Sequence, residues 1–289
     1  NGECYLIFGK PGAAPFPSIF DTGRLLVRNG GDGSEGTVII GSRQAECLGS
    51  SQIVSFRELD AVAGVGDFDR DGFNDLLIGG AGCSGNAPGR AYLFFGQPDF
   101  PPELDLRDPD FPGPGGPHLM TLLPVTEQTS LSGFGLAVGG VGDINGDGFP
   151  DIAVHDTEDN PPETNGAWVI FGRPDPPQIF HVADLLPENG GDGRRGFLVR
   201  ELPNEESLGQ AIAGGDFNGD GVSDMAFGGG AMDPGDRSNA GRVIVLFGRR
   251  APVVAVPAFN FWSMALLVLC ITIMGLFAYY HTRISHRIE

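Results

Sequence analysis

The fold is decided by VGDFDRDGFNDLLIGG at residues 65–80, because two close copies of it recur, VGDINGDGFPDIAVHD at 141–156 and GGDFNGDGVSDMAFGG at 214–229. In each copy an aspartate-rich loop separates two short runs of apolar residues and glycine. The first aspartates of successive copies are 76 and 73 residues apart. Self-similarity at a nearly constant period is typical of a repeat architecture.

Two further markers recur beside these copies. Apolar runs that end in Phe-Gly lie at 4–9, 91–96, 167–172 and 244–248, and an Asn-Gly-Gly-Asp-Gly turn lies at 29–33 and 189–193. Each period therefore holds about four short strands: one before the loop, one after it, one that ends in Phe-Gly and one after the glycine-rich turn. This pattern predicts an all-β fold of β-propeller blades, each with four antiparallel strands, in an incomplete ring of about 3.3 blades.

The markers also divide the chain into segments. We expect the C-terminal part of a blade with its connection at 1–58, blades at 59–133 and 134–207, a partial blade at 208–249, a linker at 250–258, a transmembrane helix at 259–280 and a basic cytoplasmic tail at 281–289. Because a closed propeller needs about four to eight blades, either further blades precede residue 1 or the blades form an open array.

The aspartate loops carry oxygen ligands at positions 1, 3, 5 and 9, a backbone carbonyl at position 7 and a glycine at position 6. The predicted ligands are Asp67, Asp69, Asp71, Phe73 and Asp75 in the first loop, Asp143, Asn145, Asp147, Phe149 and Asp151 in the second, and Asp216, Asn218, Asp220, Val222 and Asp224 in the third. Calcium takes six to eight oxygen ligands in a flexible shell, so we expect three Ca²⁺ sites.

Two other interpretations of these loops fit the sequence less well. Asp, Asn and Gly also favour plain turns, but three copies with one ligand pattern argue against that interpretation. An EF-hand needs a glutamate at position 12 and flanking helices, whereas position 12 is Ile78, Val154 and Phe227 and the flanks look β-like. We expect the ions to be mainly structural.

These motifs resemble the FG-GAP repeats of integrin α-subunit β-propellers. Phe134-Gly135 matches the Phe-Gly element of that family, and Leu208-Gly209 and Leu59-Asp60 match it more loosely. His155-Asp156-Thr157 departs from the Gly-Ala-Pro element that ends the next strand. The resemblance implies a seven-bladed propeller with calcium in hairpin loops on one face, and a role in adhesion or ligand binding. Similar repeats also occur in bacterial surface proteins and beside the catalytic domain of a phospholipase.

Residues 259–280 contain no charged residue, and 22 residues are enough to span a bilayer as a helix. Trp262 and Tyr279-Tyr280 lie at its ends, and Arg283 and Arg287 follow, which predicts a cytoplasmic C-terminus. A buried core helix is the alternative. The stretch before it, with Pro257 and Trp262, resembles bacterial C-terminal sorting signals of the Ile-Pro-Thr-Leu type, which implies an exosortase-type processing protease as a partner.

The net charge is −19, and residues 1–250 carry 16 basic and 36 acidic side chains once Arg283, Arg287 and Glu289 are set aside. Such a surface repels nucleic acid. No nucleophile elbow, phosphate loop or hydrolase metal motif is present, so we expect no catalytic residue and no enzyme activity. A disulfide between Cys47 and Cys83 is an open alternative to free thiols.

The sequence therefore predicts a calcium-binding, membrane-anchored propeller on a bacterial surface. It would act extracellularly as an adhesion or interaction module for an unknown protein or glycan. The alternative is an accessory propeller of a surface enzyme whose catalytic domain lies outside this chain.

Overall fold

The computed structural model describes residues 2–10, 12, 16–42, 46–49, 61–82, 88–108, 118–126, 133–157, 164–200, 208–229 and 240–249. Asn1–Ala251 form one compact unit. The helical segments within the described ranges are short 3-10 turns, and none of them is long and apolar enough to cross a membrane. The linker, membrane span and tail predicted at 250–289 lie outside the described residues and stay predictions.

Sixteen strands form in the described residues. They are β1 (Glu3–Ile7), β2 (Gly36–Ile40), β3 (Glu46–Leu48), β4 (Val62–Gly66), β5 (Asp75–Gly82), β6 (Arg90–Phe94), β7 (Glu103–Asp105), β8 (Leu119–Leu123), β9 (Val138–Gly142), β10 (Asp151–Asp156), β11 (Gly166–Ile170), β12 (Ile179–His181), β13 (Gly196–Arg200), β14 (Ala211–Gly215), β15 (Asp224–Gly229) and β16 (Arg242–Leu246).

The strands form four sheets that follow the repeat. The third sheet has the order β13-β11-β10-β9, all antiparallel, and the fourth has the order β14-β15-β16. The second sheet contains the same meander in β4, β5, β6 and β8, and the first contains β1 and β2. The expected all-β fold of blade-like sheets in an open arrangement is therefore confirmed.

Two short strands, β7 and β12, join neighbouring sheets in a way that the repeat did not predict. Each of them lies in the connection between the third and fourth strands of its own blade. There β7 pairs in parallel with β2, and β12 pairs in parallel with β8, which are the outermost strands of the preceding sheets. Leu104 of β7 and Phe180 of β12 are buried at these joints. A three-residue strand is too short to show an alternating pattern, and its partner lies in another repeat.

A third short strand, β3, also enlarges the second sheet. It pairs with the second half of the eight-residue β5, while β4 pairs with the first half on the same edge. The second sheet therefore has six strands where the repeat predicted four.

The core lies between adjacent sheets. Leu77 and Leu93 of the second sheet pack in one cluster with Ile152 and Trp168 of the third, all of them fully buried. On the other face of the third sheet, a second cluster contains Ala153 and Val169 together with Met225 and Phe227 of the fourth sheet. Burial of each large apolar side chain stabilises the stack by about 1.5–3 kcal/mol.

The outer faces of the first and last described sheets remain exposed. Val245 holds the repeat position of Val169, yet it is 42% exposed where Val169 is fully buried. At the other end, Tyr5 holds the position of Trp168 and is 39% exposed, against 0% for Trp168. The same positions are thus covered inside the array and uncovered at its ends.

The cysteines have different states. Cys47 is disulfide-bonded, and its predicted partner Cys83 lies outside the described residues. Cys4 is a free, half-buried thiol.

Candidate metal-binding loops

Each aspartate loop closes the hairpin between the first two strands of its blade. The first loop joins β4 to β5, the second joins β9 to β10, and the third joins β14 to β15. Every position-9 aspartate is the first residue of the following strand. The loops therefore begin and end where the sequence repeat indicates.

The position-1 aspartates organise the turns. An Oδ2 oxygen accepts the N–H of the position-6 glycine in all three loops, from Gly72 to Asp67 at 3.0 Å, from Gly148 to Asp143 at 2.8 Å and from Gly221 to Asp216 at 2.9 Å. The position-5 aspartates accept the N–H of position 7, which belongs to Phe73, Phe149 and Val222. The same two carboxylates thus shape the turn in each of the three loops.

Two positions in each loop adopt left-handed backbone. Position 6 is glycine in every case, with φ of 100° at Gly72, 95° at Gly148 and 82° at Gly221. Position 4 is also left-handed, and sequence reasoning missed it. Gly146 and Gly219 occupy that position in the second and third loops, but the first loop has Arg70 at φ 61°. A non-glycine residue there is strained by about 1–2 kcal/mol.

The loops also differ in whether Oδ1 of the position-1 aspartate has a hydrogen-bond partner. Oδ1 of Asp143 accepts the N–H of Gly146 at 2.7 Å, and Oδ1 of Asp216 accepts that of Gly219 at 2.7 Å. The equivalent Oδ1 of Asp67 is buried and has no hydrogen-bond partner. A buried polar atom without a partner points to a missing ligand, such as an ion.

The first loop also brings its acids together. One carboxylate oxygen each from Asp67, Asp69 and Asp71 lies within 4.8 Å of the others. Two oxygens bound to one calcium at about 2.4 Å each can be at most about 4.8 Å apart, so these three side chains fit a single Ca²⁺. Asp75 is not part of this group.

The second and third loops have asparagine at position 3, and its amide completes the turn. Nδ2 of Asn145 donates to Asp147 at 3.0 Å, and Nδ2 of Asn218 donates to Asp220 at 2.9 Å. The asparagine carbonyl oxygens accept the N–H groups of Asp147 and Asp220 at 2.8 Å. These two loops therefore contain one negative charge fewer than the first.

The position-9 aspartates have a role that the sequence did not indicate. Asp75 accepts the N–H of Phe68 at 2.7 Å and of Gly96 at 2.8 Å. Asp151 likewise accepts from Ile144 and Gly172, and Asp224 accepts from Phe217 and Gly248. The three carboxylates are buried. Each one ties its loop to the glycine of the Phe-Gly marker that ends the third strand.

Burial changes the acidity of these groups. It raises the pKa of Asp75 to about 6 and that of Asp151 to about 7, although the two backbone hydrogen bonds on each carboxylate favour the charged form. Burial also raises the pKa of Asp69, and the nearby charges of Asp71 and Asp67 add to that shift. A bound cation would oppose all three shifts, because it stabilises the carboxylate form.

Successive loops contact one another on one side of the array. The N–H of Arg173, just after one Phe-Gly marker, donates to the carbonyl of Phe68 in the preceding loop at 3.1 Å. The N–H of Ser223 in the third loop donates to the carbonyl of Asp143 in the second at 3.1 Å. The guanidinium of Arg70 lies 5.3 Å from the ring centre of Phe149. The loops thus share one face.

Comparison with known proteins identifies part of this repeat. A family profile described as the FG-GAP repeat matches residues 134–169, which begin at the buried Phe134 and include the second loop. Gly135 has φ 82° there, and Gly209 holds the same left-handed conformation at φ 93° one blade later. The loose sequence match at Leu208-Gly209 therefore adopts the same local backbone, whereas Leu59-Asp60 lies outside the described residues.

Two curated relatives are similar to longer stretches. The chain is 33% identical over 143 residues to integrin alpha-5 of Xenopus laevis, which is 47% of this chain and 11% of that protein. It is 31% identical over 94 residues to integrin alpha pat-2 of Caenorhabditis elegans, or 32% of this chain and 7% of that protein. The chain thus spans about a tenth of the length of these relatives. Together the matches support an FG-GAP, integrin α-like fold for these sheets.

Proposed function

We propose that the chain is a calcium-binding β-propeller segment that acts as an adhesion or interaction module outside the cell. The observation that carries the calcium proposal is the buried Oδ1 of Asp67, which has no hydrogen-bond partner in a group of three converging carboxylates. Desolvating a charged oxygen without a partner costs several kcal/mol, and a cation among the three acids removes that cost.

The ligand chemistry favours calcium over other metals. The proposed ligands are all oxygens, from aspartate, asparagine and one backbone carbonyl per loop, and a soft metal such as zinc or copper prefers nitrogen and sulfur. Magnesium keeps several waters and needs a nearly octahedral shell, whereas calcium accepts many protein oxygens in an irregular one. We therefore assign Ca²⁺ to all three loops, and we keep the position-9 aspartates as proposed ligands in addition to their bonds to the backbone.

The proposed role of calcium is structural. Each loop forms its turn through the position-1 and position-5 carboxylates, so an ion bound to those groups would stabilise the hairpin. The loops touch one another through Ser223 and Arg70, and Arg173 joins the segment after a Phe-Gly marker to the first loop. Calcium in one loop would therefore also stiffen the contact between neighbouring blades.

The interaction role is supported by the similarity to integrin α chains and by the repeat itself. Propellers present loops from several blades on one face, and such faces suit a protein or glycan partner. Residues 259–280 would anchor the module in a membrane with residues 281–289 in the cytoplasm. Processing near Pro257 by an exosortase-type protease belongs to the same proposal.

Calorimetry of the full chain in detergent tests the calcium proposal. We expect three sites with dissociation constants of order 10⁻⁴ M, as in extracellular calcium modules. The variants Asp71→Asn, Asp147→Asn and Asp220→Asn should each remove one site. Glu188→Gln, an exposed acid outside the loops, is the matched control and should leave all three. The absence of binding heat at millimolar calcium, with folding verified by circular dichroism, would refute the proposal.

The anchor is tested by membrane extraction. The full chain expressed in a bacterial host should stay with the membrane through an alkaline wash, and a variant without residues 259–280 should be released. Membrane retention of the deletion variant would contradict anchoring by that segment. Protease added outside intact cells should cleave the repeats, and full protection of the repeats would contradict their outward orientation.

A further inference from the structure

Three arginines lie together around a pocket of about 310 Å³ beside the second loop. Arg173, Arg194 and Arg195 line it together with Asp147, Phe149 and Phe171. Residues 1–250 contain 16 basic side chains against 36 acidic ones. A local group of three guanidinium groups is therefore exceptional on this surface, and neither the loops nor the fold explains it.

Arg173 has a buried N–H donor without an acceptor. It is half-buried, and its Nε atom is buried without a hydrogen-bond partner. Its backbone is held in place, since its N–H donates to the carbonyl of Phe68 at 3.1 Å. Arg173 lines the pocket, so an oxyanion there would meet the outer N–H groups of the guanidinium, and a small shift of the side chain would also bring Nε to it. That shift would recover the cost of a buried N–H donor without an acceptor, about 1–3 kcal/mol.

The partner of Arg194 is weakly bound, and the partners of Arg195 use only part of its guanidinium. Arg194 is 87% exposed and lies 3.4 Å from Asp192, which is also largely exposed, so that ion pair contributes little. Arg195 donates to the carbonyl of Asp184 at 3.2 Å and lies over the ring of Phe180. These contacts orient Arg195 yet leave other N–H donors of its guanidinium for a ligand.

Arginine suits one ligand chemistry in particular. A guanidinium presents parallel N–H donors that match the two oxygens of a carboxylate, sulfate or phosphate group, and such charge-assisted bonds are about twice as strong as neutral ones. The pocket volume is at the low end of the range for small-molecule sites, so an oxyanion carried by a larger partner fits within it. Its aromatic faces are already used, since Arg70 covers Phe149 and Phe171 packs edge-on against Phe197.

We propose that this pocket binds an oxyanion group, a sulfate or carboxylate carried by the partner, with Arg173 as its principal donor and Arg194 and Arg195 beside it. Asp147 lies in the same pocket and repels an anion while it is unneutralised. Calcium in the second loop would offset that charge and strengthen oxyanion binding; this coupling, unlike the pocket itself, rests on the proposed function. By linkage, the oxyanion would strengthen calcium binding by the same factor.

The test is a titration of the full chain with sodium sulfate and, separately, with sodium acetate, at constant ionic strength made up with chloride. Binding heat is measured in chelator and in calcium. We expect saturable binding, with sulfate and acetate separating the two possible sources of the oxyanion. Arg173→Gln should weaken binding about tenfold or more, because it removes the charge and the fork. Arg28→Gln, an exposed arginine far along the chain, is the matched control and should bind like the wild type.

A second variant tests the pocket at a position where folding is not at risk. Arg194→Gln alters a side chain that is 87% exposed, so it cannot fail through misfolding, and it should weaken binding severalfold. Equal affinity in wild type, Arg173→Gln and Arg194→Gln, or no saturable binding of either anion, overturns the proposal. Sulfate binding without calcium binding would refute the proposed calcium function and support the oxyanion pocket. Calcium binding without binding of either anion would support the calcium function and refute the pocket.

Discussion

Oδ1 of Asp151 accepts a hydrogen bond from the N–H of Gly172 at 2.8 Å, across 21 residues of chain. The bond joins the last residue of the second aspartate loop to the glycine of the Phe-Gly marker. Asp75 with Gly96 and Asp224 with Gly248 repeat it at 2.8 and 2.9 Å. The two sequence markers of this repeat thus recur together because one binds the other.

This relationship predicts that Gly172→Ala destabilises the protein. A Cβ at Gly172 would collide with the carbonyl oxygen of Pro150 and lie 2.7 Å from Cβ of Phe149. We expect a loss of about 3 kcal/mol in the free energy of unfolding, measured by denaturant titration. Gly9→Ala is the matched control, because Gly9 ends the equivalent strand of the first sheet and a Cβ there meets nothing within 4 Å. Equal effects of the two substitutions would contradict the close approach.

The same contact separates the structural and metal roles of the loop acids. Asp151→Asn places an amide donor against one of two backbone N–H groups, so it should cost about 2 kcal/mol even in chelator. Asp147→Asn changes an exposed side chain and should cost less than about 0.5 kcal/mol in chelator, yet lose the calcium-dependent rise in melting temperature. Thermal melts of both variants with and without calcium provide the measurement. A loss for Asp151→Asn that occurs only with calcium would contradict the support role.

We expect β12, which pairs with the preceding sheet, to contribute to the stability of the protein. Phe180 in β12 is buried against the second and third sheets, whereas its neighbour Ile179 is 57% exposed. Phe180→Ala should lower the free energy of unfolding by about 3–5 kcal/mol, and Ile179→Ala by less than about 1 kcal/mol. Urea denaturation compares the two. A small effect of Phe180→Ala would mean that β12 does not hold the blades together.

The free thiol of Cys4 should be unreactive in the folded protein. Burial raises the pKa of Cys4 to about 11, so at about pH 8 only about one molecule in a thousand has the thiolate. Iodoacetamide followed by peptide mass spectrometry should leave Cys4 unmodified until denaturant is added. Cys47, which is disulfide-bonded, should react only after reduction. Rapid labelling of Cys4 under native conditions would contradict its burial.

Much of the fold could be predicted because the repeat signals are local. The strands that flank each loop follow from alternating apolar and glycine residues, and the turns follow from Asp, Asn and Gly at set positions. Gly72, Gly148 and Gly221 were correctly expected to allow the sharp turn, since the backbone there is left-handed. The ligand assignment of all fifteen loop residues and the three calcium ions remain predictions that calorimetry can test.

One feature that sequence reasoning missed lies within a single loop, and the others depend on contacts between distant residues. Arg70 looks like an ordinary surface arginine, but its backbone is left-handed like that of Gly146 and Gly219, and Oδ1 of Asp67 still lacks the N–H donor that those glycines give to Asp143 and Asp216. The glycines Gly146 and Gly219 at position 4 of the other two loops were the sequence signal for a left-handed backbone at Arg70. The grouping of Arg173, Arg194 and Arg195 had no local signal, because the connection that contains β12 brings two separate segments to one pocket.

The sequence by itself determined the order of the main strands in each blade, the place of each aspartate loop and the chemistry of its side chains, because these properties depend on residues within a few positions of one another. Only the tertiary structure decided that the position-9 aspartates bind the Phe-Gly glycines, that β7 and β12 pair with the preceding sheet, and that one carboxylate oxygen of Asp67 is left without a partner. Hydrogen bonds and burial of this kind depend on how repeats stack, and stacking is a property of the packed array that no single repeat contains.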